Sequence, residues 1–294
     1  MKSKDAFLHL GADDAGDPKD AKALLIPFGL EASVSYEGGT SKGPQAILDA
    51  SPELEHFDEV FWRECWRDYG IATVQEPVIE KDLPKALDQL ESIVEAALDA
   101  GHFPLVMGGE HSLTAGAIRP YVRRHEQITI LQFDAHADLR DGYEGEHYSH
   151  AAAMCRCLDH DNVRLVSVGI RNISAEELPI LEQNKDRIDI FWMKDRRKWD
   201  VSDVAKAVGN GNVYVTFDID GFDSSMIPAT GTPEPGGLNW WEVMDILDAV
   251  SHNASIVGAD VVELAPRDGL HACDFMTAKL CYKIMSYALR RFMK

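Results

Sequence analysis

The run Ile128-Thr129-Ile130-Leu131, continued as Phe133-Asp134-Ala135-His136-Ala137-Asp138, constrains this chain more than any other stretch. Its β-branched and aliphatic residues read as a buried strand. Three side chains able to ligate through oxygen or nitrogen then occupy alternate positions. Alternate side chains of an extended chain share a face, so Asp134, His136 and Asp138 converge as the strand runs out. A single Asp after a strand is ordinarily a cap or turn former. Three such residues at period two beyond an apolar run cannot be buried without compensation, and the spacing predicts a metal-ligand comb.

The same logic recurs twice. Val213-Tyr214-Val215-Thr216-Phe217 leads into Asp218 and Asp220 at alternate positions, then Gly221, which lets the chain turn. Four carboxylates around one point would repel and protonate unless cations held them, and one divalent ion does not need so many, so two metals are expected. Leu105-Val106-Met107 ends in Gly108-Gly109-Glu110-His111-Ser112, adding an imidazole at a third strand end.

These blocks resemble the ureohydrolases, the arginase/agmatinase family: GGEHS at 108–112, DAHAD at 134–138, and FDIDGFD with the following ATGTPEPGGL over 217–238. The resemblance runs from Glu37-Gly38-Gly39-Thr40 to Val261-Val262-Glu263-Leu264-Ala265-Pro266. It implies a three-layer α/β/α fold around a central parallel sheet of about eight strands. It also implies a binuclear manganese centre that hydrolyses a guanidinium to urea and an amine. Carried over by residue, one Mn²⁺ would take His111, Asp134, Asp138 and Asp218, and the other Asp134, His136, Asp218 and Asp220. Mixed carboxylate and imidazole ligation suits Mn²⁺, and no thiol calls for zinc. Asp223 is expected to serve a structural role or to support the ligands from outside rather than to ligate directly. Asp138 would orient the attacking hydroxide, and Glu263 matches the family glutamate that receives the guanidinium. For the proton shuttle, Ser149-His150-Ala151 matches the family position better than His147, although either imidazole could titrate near neutrality.

The substrate is open at this level. Where arginases carry residues that read an amino-acid tail, this chain has Arg140 and Glu144-Gly145-Glu146, which disfavours arginine. An acidic loop of Asp141, Glu144 and Glu146 is expected to meet an ammonium tail and points to agmatine, giving urea and putrescine. Arg140 is expected to be a solvated loop charge; facing the pocket it would suit guanidinobutyrate or guanidinopropionate. Outside this class stand a non-catalytic metal-binding homologue and a metal-dependent deacetylase of related architecture.

Elsewhere the chain alternates strands and helices. Strands are expected at about 23–28, 69–74, 103–108, 128–134, 163–169, 188–192, 212–218 and 256–262. Helices are expected at about 43–50, 83–100, 114–125, 148–158, 174–184, 201–208, 240–252 and 274–293. This order predicts a parallel sheet with helices on both faces, and ligands bind beyond the carboxyl ends of such strands. With no linker or repeat, residues 1–294 read as one domain whose first 20 residues are loose. The glycine-rich segment 38–44 lacks the Walker lysine spacing and is expected at the site's rim.

A net charge of −20 argues against nucleic acid and anionic membrane as partners and is compatible with a small cationic guanidino substrate. No apolar run long enough to span a membrane and no signal-peptide core is visible, so a cytoplasmic location is expected. The five cysteines have no framework spacing and are expected as reduced, mostly buried thiols. The family resemblance implies a homotrimer or homohexamer.

Overall fold

The computed structural model describes residues 6–10 and 20–293. Eight parallel strands form one sheet: β1 (Ala23–Phe28), β2 (Ile71–Thr73), β3 (Phe103–Gly108), β4 (Ile128–Phe133), β5 (Val163–Val168), β6 (Ile188–Phe191), β7 (Asn212–Asp218) and β8 (Ser255–Val262). Their spatial order is β2-β1-β3-β8-β7-β4-β5-β6. All eight lie where the apolar runs place them, because strands covered on both faces read as near-continuous Val, Ile and Leu.

Consecutive residues of each strand feed opposite cores. Leu105, Met107, Leu131, Phe133, Val215 and Phe217 join one apolar cluster, while Val106, Ile130, Tyr214 and Val262 join the other. Helices Gly43–Ala50, Val201–Val208, Trp240–Asn253 and His271–Ala288 cover the first face. Leu83–Asp99, the 114–124 segment and Ala153–Leu158 cover the second. The result is a three-layer α/β/α fold.

Helix boundaries depart from expectation where local chemistry intervenes. The stretch expected as one helix at 114–125 divides into Thr114–Ala117 and Arg119–Arg124. Pro120 has no N–H to donate back to the preceding turn. The expected 148–158 helix opens as a 3-10 turn at His150–Ala152, the expected 174–184 helix likewise at Ala175–Glu177, and the C-terminal helix is His271–Ala288 rather than 274–293. The expectation of a loose start is corrected for residues 6–10. Phe7, Leu8 and Leu10 are buried, with the Phe7 and Leu8 amides donating to Thr73 Oγ1 and Ser51 Oγ. The rest of that segment lies outside the described residues. All five cysteines are free and buried. Among the described residues no helix is long and apolar enough to cross a membrane.

β3, β8, β7 and β4 are neighbours at the middle of the sheet. Their registers pair Phe133 with Phe217, Asp218 with Val262, and Met107 with Val261, so four carboxyl ends finish level. Everything that follows is built on that edge.

Candidate metal centre

His111 follows β3, Asp134, His136 and Asp138 follow β4, Asp218 ends β7 with Asp220 just beyond it, and Glu263 follows β8. All but Asp134 line one cavity of about 240 Å³. Asp134 is fully buried against His111 and His136.

Ligand-capable atoms gather in two groups, His111 with Asp134 and Asp218, and Asp134 with His136 and Asp220; Asp134 belongs to both. Nδ1 of His111 lies 3.1 Å from Asp134, 3.0 Å from Asp138 and 3.6 Å from Asp218. Nδ1 of His136 lies 3.0 Å from Asp220 and 3.6 Å from Asp134. Turn hydrogen bonds hold the carboxylates in place: the His136 amide donates to Asp134 Oδ1, the Ala135 amide to Asp220 Oδ1, and the Asp220 amide to Asp218 Oδ1. Gly221 makes this possible, since a Cβ there would sit 2.9 Å from the Asp134 amide nitrogen.

Electrostatics test whether a cation belongs here. Burial, then Asp220 and Asp134, drives the Asp218 carboxyl well above the usual range, and burial with Asp134 pushes Asp138 up to about 6. Burial opposes the charged imidazole of His111, but Asp134 and Asp138 overcome it and raise its pKa well above ordinary. Nδ1 of His111 is nonetheless a buried atom without a hydrogen bond. A ring of buried carboxylates around an imidazole nitrogen that makes no hydrogen bond, with no Lys or Arg paired to them among the described residues, fits divalent cations.

Asp138 and Glu263 both adopt left-handed backbone, φ 53° and 65°. Such conformations cost on the order of 1–3 kcal/mol in non-glycine residues and persist where function fixes them. Glu263 Oε1 accepts the His111 amide at 2.7 Å, and burial with Glu110 nearby pushes its carboxyl up to about 8. A planar cation beside it would restore the charged form.

The two histidines separate. His150 lines the cavity, with Nδ1 2.7 Å from Ser33 Oγ and Nε2 2.7 Å from Ser35 Oγ. Burial first, then the charges of His111, His136 and Arg140, pull its pKa down to about 4, which corrects the expectation of titration near neutrality. His147 instead packs on the guanidinium of buried Arg156, which also pairs with Asp141.

The loop carrying Ser33 and Ser35 was missed by sequence reasoning. It reaches the site because Gly109 lets the chain approach closely: a Cβ there would fall 1.9 Å from the Leu30 carbonyl oxygen. Glu110 then accepts the Ala32 and Ser33 amides and the Ser33 and Ser112 hydroxyls. Glu31 accepts the Gly39 and Ser41 amides and the Thr40 hydroxyl, which brings the 38–44 segment to the rim with Thr40 on the cavity wall. Gln132 was missed too; its amide donates to Asp134 Oδ2 and is oriented by the Ser167 hydroxyl.

The rim corrects two further expectations. Asp141, Glu144 and Glu146 do not line the cavity; Asp141 is turned to Arg156, and Glu146 accepts the Tyr148 amide. Arg140 does line it, ion-paired with Glu176 and lying over the Tyr143 ring, rather than pointing freely to solvent. Asp223 is structural: its carboxylate accepts the Ser225, Gly236 and Gly237 amides and the Ser225 hydroxyl, pinning the loop that carries Thr230, Gly231 and Thr232 to the cavity. Those bonds, the Ser225 hydroxyl first, hold its pKa at about 2.

Fold and site together define an α/β/α protein with a cluster of carboxylates and imidazoles able to hold cations at the carboxyl edge of its sheet, and comparison with known proteins narrows the class. The chain matches the Arginase family over residues 21–289. It is 35% identical over 278 residues to the N(1)-aminopropylagmatine ureohydrolase of Synechocystis sp., covering 91% of this chain and 89% of that one. With the agmatinase of Bacillus anthracis it shares 32% identity over 252 residues, 84% and 85% of the two chains. The crystal structure of agmatine ureohydrolase of Thermoplasma volcanium superposes with a TM-score of 0.85 at 28% identity, covering 96% of each chain. The chain belongs to the arginase family of ureohydrolases.

Proposed function

We propose that this ureohydrolase cleaves a guanidino compound with a cationic tail, agmatine or its N(1)-aminopropyl derivative, to urea and the corresponding amine, using two Mn²⁺ ions. The convergence of His111, His136, Asp138, Asp218 and Asp220 beside Glu263 on one cavity, with buried Asp134 against His111 and His136, carries this reading. The aminopropyl variant has its own support in the 35% identical relative, which bears that name. Arg140 on the cavity wall is the observation that favours a carboxylate tail. Its pairing with Glu176 offsets that charge, Arg267 likewise offsets Glu37 on the same wall, and Glu177 adds a further carboxylate to the lining, so a cationic tail remains the better fit.

His111, Asp134, Asp138 and Asp218 would hold one ion and Asp134, His136, Asp218 and Asp220 the other. Bound, the ions would supply a hydroxide nucleophile at neutral pH. The protein's own groups do the rest. Glu263 binds and orients the guanidinium, Asp138 accepts a hydrogen bond that aims the nucleophile, and His150 carries a proton to the departing amine nitrogen. Residues 1–294 act as one domain, in the cytoplasm, where buried free thiols are the norm.

The test is urea release by Mn²⁺-loaded protein on agmatine, N(1)-aminopropylagmatine, arginine, guanidinobutyrate and guanidinopropionate. The two cationic-tail substrates are expected to exceed the others in kcat/KM by at least about tenfold. Preference for a guanidino acid would overturn the tail assignment and make Arg140 the residue to substitute. No urea from any of them would overturn the catalytic reading in favour of a non-catalytic homologue.

We also read the chain as a homotrimer or homohexamer. Phe57, Val60 and Trp62 are 46%, 43% and 76% exposed on one short segment, an apolar edge that assembly would cover. Sedimentation velocity would show a trimer or hexamer; a monomer at micromolar concentration would refute this.

A further inference from the structure

A further buried carboxylate, outside the cavity, reaches the His111 ring through one hydroxyl. Asp260 on β8 is directly paired in register with Thr216 on β7, and both are fully buried. Asp260 Oδ1 accepts the Thr216 hydroxyl at 2.6 Å, and Oδ2 accepts the hydroxyls of Tyr214 at 2.8 Å and Thr114 at 2.9 Å. Thr216 Oγ1 in turn lies 2.8 Å from His111 Nε2. A carboxylate in the middle of a sheet is costly unless every lone pair facing the protein is matched. Here three hydroxyls match it.

Each of those hydroxyls has one proton to give. With the Thr216 proton directed to Asp260, its oxygen offers only lone pairs to His111, so Nε2 must carry the imidazole proton. Nδ1 is then bare, and it is the nitrogen that faces Asp134, Asp138 and Asp218. Were the chain of donors reversed, Thr216 would donate to Nε2 and the imidazole proton would sit on Nδ1, closing that position to a cation.

We propose that Asp260, acting through Thr216, is a positioning pair that fixes the His111 tautomer with Nδ1 open to the metal. This rests on the reading of His111 as a ligand. Outer partners of a metal-bound imidazole orient the ring and raise its basicity, and losing one typically weakens metal affinity about 10–100-fold. The Asp260 pair touches only the His111 side of the centre, so only one of the two ions should feel it.

The experiment titrates metal-free protein with Mn²⁺ and follows free ion by its electron paramagnetic resonance signal, with urea release measured in parallel. Thr216→Val should weaken one of two binding steps about 10–100-fold and leave the other at the parental value, which also reports an intact fold. Thr216→Ser keeps the hydroxyl and should bind both ions as the parent does. Asp260→Asn, whose amide can donate to Thr216 and reverse the chain, should behave like Thr216→Val. Parental affinities in Thr216→Val, or equal losses in Thr216→Ser and Thr216→Val, would overturn the proposal. A parent that binds two ions yet releases no urea would overturn the proposed function and leave this pair standing; a parent that binds none would overturn both.

Discussion

Asp134→Ala is expected to fold, to bind fewer than two Mn²⁺ ions, and to release urea at least about 10³-fold more slowly than the parent. Asp134 belongs to both clusters of ligand-capable atoms and, with Asp218, to both proposed ligand sets; it is fully buried, with Oδ2 toward His111 and Oδ1 toward His136. Metal catalysis is worth several kcal/mol of transition-state stabilisation, and each 1.36 kcal/mol is a factor of ten, so losing a shared ligand removes about three decades or more. Folding should survive. Removing one carboxylate relieves repulsion among acids already forced up by burial and by one another, and the Gln132 amide retains the His136 carbonyl as an acceptor.

A melting experiment separates this outcome from a general loss of structure. Mn²⁺ at about 100 times its Kd stabilises a protein that binds it only when folded by about 2.7 kcal/mol, which lifts the melting temperature of a chain of this size by about 5 °C. The parent should show that rise. Asp134→Ala should melt like the metal-free parent and respond little to the ion. Full activity with two bound ions would refute the bridging role.

The candidate ligands were legible because they obey a local rule. Period-two spacing after an apolar run needs no knowledge of the rest of the fold, and Asp134, His136 and Asp138 follow it, as do Asp218 and Asp220. What supports them obeys no local rule. Gln132, Thr216 and Asp260 are polar residues inside apolar strand runs, and the anomaly was visible in the sequence, but their partners come from other strands. The Ser33–Ser35 loop reaches His150 through a contact between Gly109 and Leu30. Arg140 is oriented by Glu176 on a later turn, which no spacing near Arg140 announces. Acidic residues at 141, 144 and 146 looked poised over the site only because charge was counted without direction. Phe7, Leu8 and Leu10 were hidden by their polar surroundings, although an apolar cluster there was itself a sign of burial.

His150→Ala should keep both ions and lose about 10²–10⁴-fold in kcat, the usual worth of a positioned proton-transfer group. Its pKa sets the pH dependence of that loss. With the imidazole held down to about 4, it is cationic only below that pH and neutral throughout the working range. A neutral ring held between two hydroxyls donates from one nitrogen and accepts at the other, so it can take up a proton during the reaction and pass it to the amine. Its protonation state in the free enzyme therefore does not change between about pH 6 and 9. The ratio of parental to variant kcat/KM should be flat across that range, with no inflection near the ordinary histidine value of about 6.5. An inflection there would mean that His150 titrates in the working range. His147→Ala, which disturbs a ring packed on Arg156 away from the cavity, should alter stability and leave the chemistry largely in place. If His147→Ala instead matches the expected loss while His150→Ala turns over normally, the shuttle is His147 and the cavity-facing imidazole serves only to seat the Ser33–Ser35 loop.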